Sequence, residues 1–227
     1  MPDNDKTRVS AGGPTPPPEE GKTLAARLSI ERRMGKSVSG EVMNLLFGSQ
    51  LLVGRDNSCE ITLPDDRISR KHVLIRIDPD AVRLSDLGST NGTTRNGEQV
   101  NEEIIVESGD VVCMGQSQTF QIRIVEREGM VTSVRMASGE RAYLLIPQEI
   151  LIGRSDPQNE DVDFMVYDPE ILPHHARIEY FTGQIFIISL DESTPAIVNS
   201  NPVREAELRT NHMIELGNTL MRFERLD

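Results

Sequence analysis

The sequence predicts an all-β protein: two β-sandwiches in tandem behind a disordered N-terminal tail. Three observations carry that reading. Apolar residues recur in short alternating runs rather than at helical spacing. Gly, Asn, Asp and Pro punctuate the runs at short intervals. The plan of the first half then returns in the second, where Ile150-Leu151-Ile152-Gly153-Arg154 echoes Leu51-Leu52-Val53-Gly54-Arg55 and His175-Ala176-Arg177-Ile178 echoes His72-Val73-Leu74-Ile75.

Taken in order, residues 1–23 form the tail. Pro14, Pro16, Pro17 and Pro18 with Gly12 and Gly13 prevent a packed element there. Its Thr7, Thr15 and Thr23 are reachable by a kinase if the segment is mobile. Residues 24–127 form the first expected domain. Strands are expected around Leu28-Ser29-Ile30, Val42-Met43-Asn44-Leu45, Leu51-Leu52-Val53, Val73-Leu74-Ile75-Arg76-Ile77, Val82-Arg83-Leu84, Ile104-Ile105-Val106, Val111-Val112-Cys113-Met114 and Phe120-Gln121-Ile122-Arg123-Ile124. Asp78-Pro79-Asp80, Asn91-Gly92, Asn96-Gly97 and Ser108-Gly109-Asp110 supply the turns, the Asn-Gly pairs suiting positive φ. Glu126-Arg127-Glu128-Gly129 is too short to be a flexible linker. Residues 128–227 form the second domain, with strands from 131–136 to 220–223.

Composition narrows the function. The net charge of −12, from 24 basic against 36 acidic residues, repels nucleic acid and anionic lipid. No apolar run approaches a membrane span, and the N-terminus lacks the apolar centre of a signal peptide. Cys59 and Cys113 have no metal-ligand spacing, and Cys113 reads as a core-strand thiol, so a reducing cytoplasm is the expected location. His174-His175 suggests a metal, but adjacent strand residues face opposite ways and no third ligand is near in sequence. Gly21-Lys22-Thr23 and Gly35-Lys36-Ser37 end like a phosphate-binding loop, yet Pro16 and Ile30 stand where its first glycine is required. No nucleophile stands beside a base, so no enzyme and no cofactor is expected.

The informative stretch is 52–97. It carries Gly54-Arg55, Ser69-Arg70-Lys71-His72, Leu87-Gly88-Ser89-Thr90-Asn91-Gly92 and Asn96-Gly97, each where an alternating run stops. Arginines, hydroxyls and an amide on strand-end loops suit holding an anion. Arg67, Arg70 and Lys71 make a local basic exception on an acidic chain. Lys71 next to Arg70 is expected to point away from the site.

In this order, the four motifs resemble the forkhead-associated (FHA) domain, a β-sandwich that binds phosphothreonine peptides. The resemblance implies phosphate contacts from Arg55, Ser69 and Arg70, and peptide contacts from Thr90 and Asn91. Gly54, His72 and Gly92 would support the site. It implies a non-catalytic adaptor whose partners are phosphothreonine proteins made by a Ser/Thr kinase, with no nucleic acid and no membrane insertion. The alternative is a phospho-independent scaffold that uses the sandwich faces or the second domain.

The second half resembles a divergent FHA domain. Aligning His72 with His175 puts Leu172, Pro173, Ser193, Thr194 and Pro195 on Ser69, Arg70, Thr90, Asn91 and Gly92. Leucine cannot donate and proline has neither donor. Asp156, Glu160, Asp161 and Asp163 are expected to compete for Arg154. Loss of phosphothreonine binding is therefore expected in this half.

Overall fold

The computed structural model describes residues 23–33, 36–37, 42–139, 141–156 and 161–226. The expected tail lies outside them except for Thr23, as does Glu160. The described residues contain strands and no α-helix.

Two five-stranded sheets lie against one 13-stranded sheet. The first small sheet runs Ile104–Val106, Ala81–Asp86, Val73–Asp78, Gln50–Gly54, Ile61–Thr62. The second runs Phe164–Val166, Glu149–Arg154, Ala176–Phe181, Gln184–Ser189, Glu205–Leu208. Alternation in these strands is the signature of one buried face: Val73–Asp78 alternates buried and half-buried residues along its whole length. Cys113 departs from its expectation. In Val111–Met114 the core positions are Val112 and Met114, so Cys113 lies on the other face, half-buried.

The large sheet carries both cores. Its middle runs Thr219–Leu226, Leu24–Arg33, Val42–Phe47, Arg141–Ile146, Met130–Ser138, Gln118–Arg127. Val42–Phe47 and Arg141–Ile146 pair in parallel, Leu45 opposite Leu144 and Leu46 opposite Leu145. Both are covered on two faces. Leu46 and Leu145 enter the first core, while Leu45, Phe47, Leu144 and Ile146 enter the second. That explains unbroken runs such as Leu45-Leu46-Phe47, which alternation does not describe.

The pairing crosses the expected boundary at residue 127. Leu24–Arg33 pairs with Thr219–Leu226, the last strand of the second half. Gln118–Arg127 instead takes Met130–Ser138 as its neighbour. Accordingly Ala26, Leu28 and Ile30 belong to the second core, and Val131, Val134 and Met136 to the first. The motif repeat divides near residue 127; the strand pairing does not.

A buried carboxylate fastens this junction. Asp163 accepts from Arg127 Nη1, from the hydroxyls of Thr132 and Ser133, and from the Leu151 N–H. With a guanidinium and three further donors, a wholly buried carboxylate is satisfied. It is therefore not a competitor for Arg154.

Phe47 is fully buried in the second core although it lies ahead of the first GR motif. Phe47→Ala is expected to lower stability by about 3–5 kcal/mol. Urea unfolding followed by circular dichroism measures this, and a loss below about 1 kcal/mol would contradict the packing described.

Candidate functional site

The site is assembled at one end of the first small sheet. Strand Gln50–Gly54 brings the chain to Arg55. A Cβ on Gly54 would lie 2.2 Å from the Arg70 carbonyl oxygen, so only glycine permits this close approach. The backbones of the two loops are then stitched: Arg55 N–H donates to Ser69 O at 2.9 Å and Asp56 N–H to Arg70 O at 3.1 Å.

His72 joins the next pair of loops. Its ring is wholly buried. Nδ1 accepts from the Ser69 N–H at 3.0 Å, which leaves the proton on Nε2 to be donated to Gly92 O at 3.2 Å. Thr90 N–H donates to Ser69 Oγ at 3.0 Å, and Asn91 Nδ2 donates to Arg67 O at 2.8 Å. The Ser69 hydroxyl, accepting from Thr90, keeps its own proton to give. Gly92 has φ of 74°, in the left-handed region.

Asp86 is a supporting residue that sequence reasoning missed. It accepts from the Ser89 N–H at 2.6 Å, the Ser89 hydroxyl at 2.7 Å and the Thr93 hydroxyl at 2.6 Å. Burial alone would raise its pKa, but these bonds outweigh burial and hold the carboxyl below its ordinary range. The signal was available: an aspartate three residues before a serine is a local turn-former.

Arg55, Asp56, Ser69, Arg70, Lys71 and Thr90 line one surface depression of about 530 Å³. Asn91 stands beside it, turned to Arg67. Lys71 faces the depression, against expectation. Residues 67–72 bend rather than extend, so strand alternation does not apply to them. Arg67 also departs from the expected basic patch: it is held by Asp65, with Nε at 3.1 Å and Nη2 at 3.0 Å. That guanidinium holds the Asp65 carboxyl well below the usual carboxylate range. Arg55 Nη1 lies 3.4 Å from Asp66 Oδ1, whose side chain is fully exposed. An exposed pair of this kind is worth about 0–1 kcal/mol and is easily exchanged for another anion. Asn96 and Gly97, with φ of 52° and 88°, form the expected hairpin turn between Thr93–Arg95 and Glu98–Gln99.

The FHA domain family matches this chain twice, at residues 51–115 and 150–217. The chain belongs to the FHA domain family. The FHA domain-containing protein FhaA of Mycobacterium tuberculosis is 41% identical over 80 residues, covering 35% of this chain and 15% of that protein. The chain therefore spans only a small part of FhaA's length. An oxoglutarate dehydrogenase inhibitor of Corynebacterium efficiens is 29% identical over 126 residues, covering 45% of this chain and 88% of that protein. A chain solved in a structural and functional analysis of phosphothreonine-dependent FHA domain interactions is 30% identical, with 45% of this chain and 99% of that chain covered and a TM-score of 0.34.

The second FHA region repeats the frame and keeps Arg154, with Leu172 and Pro173 in place of the Ser69 and Arg70 donors. Arg154 N–H donates to Leu172 O at 2.9 Å and Leu190 N–H to His175 O at 3.0 Å, matching the bonds of Arg55 and Leu87 in the first. Gly153 again meets backbone: a Cβ there would lie 1.8 Å from Pro173 O. His175 Nδ1 accepts from the Leu172 N–H at 3.2 Å, but its buried Nε2 has no hydrogen-bond partner among the described residues. His174 lies apart, 3.1 Å from Asp161. The described residues hold no cluster suited to a metal ion.

Burial pushes the His175 pKa below the ordinary histidine value of 6.5. The unfolded chain thus takes up this proton first. The resulting stability is fully present above pH 6.5 and is lost as pH falls toward the folded value. Urea midpoints at pH 7.5 and 5 should therefore differ less in His175→Leu than in the wild type. An equal slope in both would contradict this.

Proposed function

We propose that this protein is a non-catalytic adaptor that binds phosphothreonine segments of proteins modified by a Ser/Thr kinase, through its first FHA domain. The observation that carries the reading is the shared depression of Arg55, Ser69, Arg70, Lys71 and Thr90. A phosphothreonine carries about −1.5 to −2 charges at pH 7 and three acceptor oxygens. Arg55 supplies a permanently charged fork of donors, Ser69 a hydroxyl whose orientation is fixed by Thr90, and Arg70 and Lys71 further positive charge. Asp66 is a weakly held stand-in on Arg55, and a phosphate dianion displaces it. Thr90 and Asn91 hold the peptide around the phosphothreonine.

Each charge-assisted hydrogen bond contributes roughly 1.5–3 kcal/mol before desolvation and peptide ordering are subtracted. A net of about −8 kcal/mol, near 1 μM, is the scale expected. The second FHA region has Leu172 and Pro173 in place of the hydroxyl and the second arginine, and it does not bind phosphothreonine in this reading.

Calorimetric titration with a phosphothreonine peptide library tests the proposal. Arg55→Ala should weaken binding thirtyfold or more, on a loss of about 2–5 kcal/mol. Ser69→Ala should weaken it about tenfold, and Arg154→Ala should leave it unchanged. Equal binding of unphosphorylated peptides, or an unaffected Arg55→Ala, would refute the reading and favour a phospho-independent scaffold.

A further inference from the structure

The exchange of strands between the two FHA regions has an identifiable cause. Each region has one first strand, Leu24–Arg33 or Met130–Ser138, and one last strand, Gln118–Arg127 or Thr219–Leu226. Both last strands pair antiparallel with a first strand, and in each case with the other region's. Each first strand continues into a second, Val42–Phe47 or Arg141–Ile146, to make a hairpin. These second strands lie side by side and parallel at the middle of the sheet. The two hairpins are thus interchangeable in direction, and either could flank either last strand.

The connections decide between them. If the hairpins changed places, Val42–Phe47 and Arg141–Ile146 would each move by one strand spacing, about 4.8 Å. The turns after them need change little. Met130–Ser138, however, would move to the far side of the hairpin pair, four spacings or about 19 Å from Gln118–Arg127. Arg127 and Met130 are separated only by Glu128 and Gly129, and that segment reaches about 10 Å at full extension. Glu128 and Gly129 have φ of 53° and 75°, the tight-turn geometry that sets Met130 directly opposite Arg127. The Asp163 carboxylate, wholly buried, then grips Arg127 on one side of the turn and the Thr132 and Ser133 hydroxyls on the other.

We propose that the two-residue turn at Glu128 and Gly129 is a lock: it makes the exchange obligatory, so the two FHA regions form one folding unit, and lengthening it frees each hairpin to close its own sandwich. The second FHA region then has a task that needs no phosphate site, since its first hairpin closes the first core. This stands independently of what the first site binds.

A cysteine pair reports the arrangement in the full chain. Ser29 and Arg222 are register partners across the exchanged strands. Ser29→Cys with Arg222→Cys, in a Cys59→Ala, Cys113→Ala background, should form an intrachain disulfide under mild oxidation. Inserting about twelve glycine and serine residues between Glu128 and Gly129 gives a segment with a mean span of about 19 Å. The cross-linked fraction should then fall at least twofold. A link found only between copies, no link with the native turn, or an unchanged fraction after insertion would overturn the proposal. Urea unfolding of the uninserted chain serves if the inserted chain fails to fold. One transition shared by probes in both regions is expected, and two separate transitions would overturn the lock.

Discussion

One imidazole fixes the geometry on which the candidate site depends. The loop with Arg70 and the loop with Thr90 have no regular structure of their own, and His72 bridges them from below. A buried ring with both nitrogens bonded to backbone is a fixed spacer, since neither bond can be given up to water. It sets Ser69 within reach of the Thr90 N–H, and that contact orients the serine hydroxyl. Gly54 does the same on the other side by letting Arg55 start directly beneath Arg70. The donors themselves remain at the surface, where an anion can reach them.

The second FHA region shows what this frame does without the counterparts of Ser69 and Arg70. The histidine, the glycine and the backbone bonds are kept, and the fold with them. The Nε2 that reaches Gly92 O in the first region finds no hydrogen-bond partner among the described residues in the second, where it belongs to His175. Asp191 organises the local turn instead, accepting from Ser193 and Thr194.

Much of this was legible in the chain. Strands with one buried face advertise themselves by alternation, and the Gly-Arg and His echoes fixed the repeat at a register that the matching backbone bonds reproduce. Arg55, Ser69, Arg70 and Thr90 were gathered from three separate motifs into one depression. What stayed hidden was set by distance in sequence. Strand neighbours are chosen by turns and sheet order, so the pairing of Leu24–Arg33 with Thr219–Leu226 has no local signal. Lys71 lies in a bend, where strand alternation gives no side-chain direction, and it faces the depression. Arg67 belongs to the basic run in sequence but not in charge, because its partner Asp65 lies just outside that run. Asp163 looked like a surface acid and is the buried fastening of the junction.

The central claim is that the first FHA region grips phosphothreonine while the second does not. Amide NMR of the full chain during titration with a phosphothreonine peptide addresses it at each residue. The expected result is a set of shifts centred on Arg55, Ser69, Arg70, Thr90 and Asn91, with the signals of Arg154, Leu172, Ser193 and Thr194 unmoved. Shifts centred on the second set, or spread over the sheet faces away from both ends, would contradict it.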